Sequence, residues 1–208
     1  MANTFAPFGF RQYSGTGSAP TYEQVTLFGG IDYNQSAIYY GDPVQRVSSS
    51  DGTIKQGVAN GSTGSTLAGV FVGCKYLSTS QKRTVWSNYW PGTDVSSSNQ
   101  NTIEAYIIND PNAQFLAQVG NSNTTDTTGI TAAQIGLNVN FALGTGNSSS
   151  GISGAYVDDY VTPATTSTLP FRIVALQQIL GQLGGSTGAF NYVIVAFNNV
   201  ETKNATAV

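Results

Sequence analysis

Leu67-Ala68-Gly69-Val70-Phe71-Val72 and Thr102-Ile103-Glu104-Ala105-Tyr106-Ile107-Ile108 are the stretches that decide the class of fold. Both are short and rich in β-branched and aromatic side chains, and both are closed off by turn-forming residues, the second by Asn109-Asp110-Pro111. Side chains branched at Cβ pack well on a pleated surface, and Gly, Pro, Asn and Asp break the ladder at each end. The same pattern recurs at Val25-Thr26-Leu27-Phe28, Ala37-Ile38-Tyr39-Tyr40, Val44-Gln45-Arg46-Val47, Phe171-Arg172-Ile173-Val174-Ala175-Leu176 and Tyr192-Val193-Ile194-Val195-Ala196-Phe197. Many short strands punctuated by turns predict an all-β fold, an antiparallel β-barrel or β-sandwich with long surface loops and an extended N-terminal arm.

Helical signals are weak. Residues 172–183 hold about two turns' worth of mixed apolar and Gln residues, read here as a strand that tips into a short helix, and Thr131-Ala132-Ala133-Gln134-Ile135 suits one turn after a Thr cap. Runs of Ser, Asn, Gly and Thr at 48–66, 94–101, 120–129 and 144–154 read as surface loops.

Residues 1–20 stand apart as an arm and linker, followed by one β domain over 21–208. Phe5, Phe8, Phe10 and Tyr13 are interleaved with Pro7, Gly9 and Arg11, and the run ends in Ser14-Gly15-Thr16-Gly17-Ser18-Ala19-Pro20. Pro7 and Gly9 oppose a helix, so the segment is extended and carries aromatic anchors. Two destinations are open to it: its own core, or a neighbouring subunit, since four exposed rings on a free arm invite aggregation. In the second case deletion of residues 2–13 would leave the domain folded.

Composition narrows the chemistry. The 208 residues contain no histidine, one cysteine and only 9% charged residues, whereas Gly, Thr, Ser and Asn make up 86 positions. The commonest general base and metal ligand is therefore missing. A formal net charge of −3 and eight scattered basic residues give no electrostatic footprint for nucleic acid. No run approaches the roughly 18 apolar residues that span a bilayer, and Met1-Ala2-Asn3-Thr4-Phe5 lacks the basic and apolar regions of a secretory leader. Cys74, alone, is expected to be a buried thiol.

Candidate chemistry is sparse. Asp158-Asp159 is the one adjacent acidic pair, and an extended backbone would send the two carboxylates to opposite faces. A glycan hydrolase would need Glu104 facing Asp110 or Asp158 across a cleft. Asn121-Ser122-Asn123-Thr124-Thr125-Asp126 offers oxygen ligands without the spacing of a calcium loop. These patterns carry no catalytic, cofactor-binding or metal-ligating assignment. The densest aromatic group is Trp86-Ser87-Asn88-Tyr89-Trp90-Pro91-Gly92. Trp86, Tyr89 and Trp90 suit a packed core with alternate rings inward, an interface anchor, or a platform on which sugars stack.

The order of words, Tyr40-Gly41-Asp42-Pro43-Val44, then Leu67 to Gly73, then Trp86 to Gly92, then Ala105-Tyr106-Ile107-Ile108-Asn109-Asp110-Pro111-Asn112-Ala113-Gln114-Phe115, resembles small β-rich virion proteins of tailed bacteriophages, the head decoration or cement proteins. The likeness covers roughly residues 35–200 and rests on word order and composition. It implies a non-enzymatic protein without cofactors, made in the host cytoplasm. Such a protein binds the major capsid protein on the outside of the assembled virion, often as a homotrimer, without nucleic acid or membrane. Phe5, Phe8, Phe10, Tyr13, Trp86, Tyr89 and Trp90 are then the expected partner contacts. The alternative is a fibre-like or receptor-binding module that stacks glycans on the same Trp and Tyr residues.

Overall fold

The computed structural model describes residues 3–15, 23–25, 30–47, 52–59, 65–123, 128–160, 163–178 and 188–203, with 23–25 as backbone. Twelve strands lie among these: β1 (Arg11–Ser14), β2 (Glu23–Val25), β3 (Pro43–Arg46), β4 (Ile54–Gln56), β5 (Gly69–Leu77), β6 (Thr84–Ser87), β7 (Glu104–Ile108), β8 (Gln114–Gly120), β9 (Asn138–Ala142), β10 (Tyr156–Asp158), β11 (Phe171–Leu176) and β12 (Tyr192–Phe197). The fold is all-β, in two six-stranded sheets.

The first sheet runs β1-β8-β10-β9-β11-β12, and β8 also pairs with β12, so five of its strands form a ring. Strand β8 has β12 along one side, and on the other β1 followed by β10. The β8–β10 ladder is parallel, a departure from the antiparallel expectation that the remaining ladders of this sheet meet. Inside the ring lies a phenylalanine-rich core. Phe10 stacks on Phe171 with ring centres 4.4 Å apart, and Phe115 and Phe197 meet edge to face at 4.9 Å. Both geometries suit the ring quadrupole.

The second sheet is ordered β2-β7-β5-β3-β4, with β6 also paired to β5. Its central strand β5 supplies both cores: Val70 packs with the first sheet's phenylalanines, and Phe71 faces the opposite way with Ile38, Ile54, Trp90 and Ile107. A register shift between Phe71 and Gly73 then brings Cys74 and Tyr76 onto the Phe71 side. An inserted residue of this kind re-aims the side chains that follow, because alternation has a period of two.

The N-terminal segment belongs to the first sheet. Arg11, Gln12 and Ser14 lie opposite Leu116, Phe115 and Gln114 of β8, and Phe10 is 1% exposed in the core. Buried Gln118 accepts from the Ala6 amide at 2.8 Å and donates to the Thr4 and Phe190 carbonyls. Gly9, at φ +78°, lies where a Cβ would come within 2.7 Å of Ser153 Cβ, so a side chain there would push the segment off its seat. Of the two destinations open to the arm, this chain's own core takes Phe10. Its role as a partner contact is corrected on that ground.

Other elements depart from the sequence pattern in instructive ways. Ala37–Tyr40 is not a strand; it forms isolated bridges from Ile38 to Trp90 and from Tyr40 to Ile152. The expected loop 48–66 contains β4, and the 94–101 loop contains a 3-10 helix over Ser97–Thr102. Residues 171–176 are strand, and 179–187 lie outside the described residues. The turn expected after Thr131 is a 3-10 helix over Ala132–Gln134, whose Gln134 side chain accepts from the Thr131 amide at 2.7 Å.

Candidate functional site

A groove of about 410 Å³ opens on the second sheet where its face extends past Val72, which packs at the margin of the first core. Register builds it. Lys75 of β5 lies between Trp86 of β6 and Glu104 of β7, while Tyr106 lies opposite Gly73. The indole of Trp86 stacks on Tyr106, ring centres 5.6 Å apart and planes 14° from parallel. Lys75 Nζ lies 5.3 Å from the indole centre and 2.9 Å from Glu104 Oε1. The Tyr106 hydroxyl donates to Glu104 Oε2 at 3.1 Å. Burial, with the bond and charge of Glu104, pushes the Tyr106 phenol up to about 12.

Gly73 leaves the floor of the groove without a side chain. A Cβ there would stand 2.9 Å from the Ser87 carbonyl oxygen, too close for β6 to hold its present pairing. Tyr40, Cys74, Ser87 and Asn88 complete the lining. Asn88 Nδ2 donates to the Ser150 carbonyl at 2.8 Å, which ties the end of β6 to the 144–154 loop. The Arg11 guanidinium sits 4.4 Å over the Tyr40 ring.

The expected contact residues divide sharply. Trp86 is 67% exposed, whereas Trp90 is 0% exposed. Trp90 packs edge-on against Tyr76 at 5.4 Å and donates its indole N–H to the Gln35 carbonyl. Trp90 is therefore core and is corrected as a contact. Alternate rings do not share a face because β6 ends at Ser87, and the chain bends before Trp90 pairs with Ile38. Tyr89 is half-buried and stacks on Tyr39 at 5.7 Å. On the N-terminal segment, Phe5 is 43% and Tyr13 56% exposed, and Phe8 is half-buried against Tyr192. Sequence spacing missed Tyr106, which reaches the groove through strand register, Tyr40, which reaches it through a loop, and Lys75, which lies beside the Trp86 ring.

The acids that could have formed a hydrolytic pair are each held in local structure. Glu104 is paired with Lys75, and Asp110 accepts from the Asn112 amide in its own turn. Asp158 accepts from the Ser122 amide and hydroxyl. Cys74 is buried, and burial pushes its thiol well above the usual range. Among the described residues there is no group of three or more His, Cys, Asp or Glu able to hold a metal ion, and part of the 121–126 oxygen-rich run lies outside them. No helix among them is long and apolar enough to cross a membrane.

Compared with known protein families, curated proteins and solved structures, the chain matches none.

Proposed function

We propose that this chain is a non-catalytic virion structural protein. It binds the major capsid protein on the outside of an assembled phage capsid and reinforces contacts between capsomers. The observation that carries this reading is the surface: Phe5, Tyr13, Val58, Trp86, Ile135 and Tyr160 are large apolar side chains left exposed on a chain with 9% charged residues. Interface centres are depleted of charge and enriched in aromatic residues, because desolvating Lys or Glu costs more than desolvating a ring. The ion pairs Arg46–Glu201 and Lys75–Glu104 neutralise four of the charges within the chain itself.

On this reading Phe10 fixes the N-terminal segment to its own domain, and the neighbouring exposed rings Phe5 and Tyr13 meet the capsid. Each copy stabilises the shell by binding the assembled lattice in preference to free subunits. Co-sedimentation with empty expanded capsids, beside the solution mass of the free protein, tests it. Saturable binding at a stoichiometry set by lattice axes supports the role. Absence of sedimentation with expanded capsids removes it.

A further inference from the structure

We propose that the groove between Trp86, Tyr106 and Tyr40 is a saccharide-binding cleft, which takes a neutral sugar ring against the exposed Trp86 indole. The proposal shares Trp86 with the surface that the capsid reading uses, but it concerns the free protein and does not depend on that role.

Four observations point to such a ligand. First, Trp86 is 67% exposed although it lies within a regular strand, while Trp90, four residues on, is fully buried. Second, the exposed ring is already oriented. Tyr106 stacks against it and Lys75 lies close to it, so a ligand does not have to order a mobile side chain. Third, the strongest charges beside the ring cancel. Lys75 and Glu104 pair at 2.9 Å, and Arg11 is held on the face of Tyr40, so among the described residues no unpaired cation stands at the indole for a phosphate or carboxylate. Fourth, the lining joins aromatic faces with polar groups of Ser87 and Asn88 around a glycine floor, at a volume within the roughly 300–1,000 Å³ of small-molecule sites. A pyranose has the matching shape: its C–H face lies on an aromatic ring while its equatorial hydroxyls reach polar groups at the edge. A short neutral oligosaccharide fits this chemistry better than an acidic glycan or a charged peptide.

The two tryptophans make the test direct, since collisional quenchers reach Trp86 and not Trp90. The full chain is titrated with maltotriose, cellotriose, chitotriose and lacto-N-neotetraose while acrylamide quenching of tryptophan fluorescence is followed. At least one sugar is expected to protect the quenchable fluorescence. Trp86→Ala is expected to weaken its binding by about tenfold or more in calorimetry, with an unchanged melting temperature, and Trp86→Phe to restore part of the loss. The proposal is overturned if none of the four sugars protects Trp86 at about 10 mM, if Trp86→Ala binds as the parent does, or if sialylated or sulfated glycans protect and neutral ones do not. Capsid binding is scored separately, so failure of one reading leaves the other to its own result.

Discussion

The Ser153 hydroxyl donates to the Asp42 carboxylate, and both side chains are buried. This contact joins the two sheets, because Asp42 immediately precedes β3 and Ser153 lies shortly before β10. The Tyr39 amide and Gln56 Nε2 also donate to Asp42, each at 2.8 Å. A buried carboxylate is tolerated only when its lone pairs are used, and here three donors use them.

Asp42→Ala should therefore be among the most damaging single substitutions. It takes the acceptor from one fully buried and two half-buried donors, and a loss of about 3 kcal/mol is expected in urea unfolding. Ser153→Ala, which removes one donor, should cost about 1–2 kcal/mol. Equal effects from the two would show that Asp42 is not the hub.

Acid should act on two carboxylates in opposite senses. Burial pushes Asp42 above the ordinary value of 3.8, and the bonds from Ser153, Tyr39 and Gln56 only partly restore it. Its folded form thus holds a proton more tightly than the unfolded chain, and its contribution to stability falls as pH rises from about 3.8 through the higher folded value. At Asp94, desolvation is outweighed by bonds from the Ser78 hydroxyl, the Ser80 amide and hydroxyl and the Thr79 hydroxyl, and the pKa is lowered. That contribution is complete above 3.8 and is lost as pH falls through the lower folded value. Denaturation curves between pH 2 and 6 should change slope in Asp42→Asn and in Asp94→Asn, with opposite signs.

Removal of residues 2–13 should unfold or strongly destabilise the domain, since it takes away most of β1 and the ring of Phe10 that stacks on Phe171. Phe10→Ala alone should cost about 3–5 kcal/mol. Tyr13→Ala, at an exposed position, should fall within about 0.5 kcal/mol of the parent. Thermal melting of the three variants separates a structural segment from a free arm.

Cys74 should resist thiol reagents in the native state and react at once in denaturant. It is 1% exposed, burial raises its pKa, and its Sγ donates to the Tyr89 carbonyl. Labelling with Ellman's reagent at pH 8 in buffer and in urea checks this; fast native labelling would mean that the sheet opens around Tyr89.

Strands β5 and β12 were legible because most of their side chains are buried on both faces and form apolar runs, and β7 and β11 because buried and open positions alternate, across residues 104–107 and 171–173. Strands β1, β4, β6, β8, β9 and β10 lie outside the stretches read as strands: β1, β4, β6 and β10 are three or four residues each, too short for a pattern to show, and β8 and β9 interleave Gln, Ala and Asn with their apolar residues. Ile38 looked like a strand residue because it is fully buried, yet it pairs only through a single bridge to Trp90. The aromatic cluster at 86–90 was visible as a cluster, but its division into one surface and one interior tryptophan depends on where β6 ends. The groove's other walls come from positions distant in sequence, and only the bulge at Gly73 and the register of β7 bring Tyr106 to Trp86.

The ring in the first sheet also governs the order of events during synthesis. β1 finds its partner only when β8 has been made, and the ring closes only when β12 pairs with β8 and β11. With chain growth of about 5–20 residues per second, Phe10 waits several seconds for β8 and longer for Phe171. Pairings so distant along the chain assemble slowly even after release. During that interval the phenylalanines that later fill the ring are open to one another across different chains. Fewer chains in synthesis at one time should therefore favour the soluble yield of this protein more than any change to its finished surface.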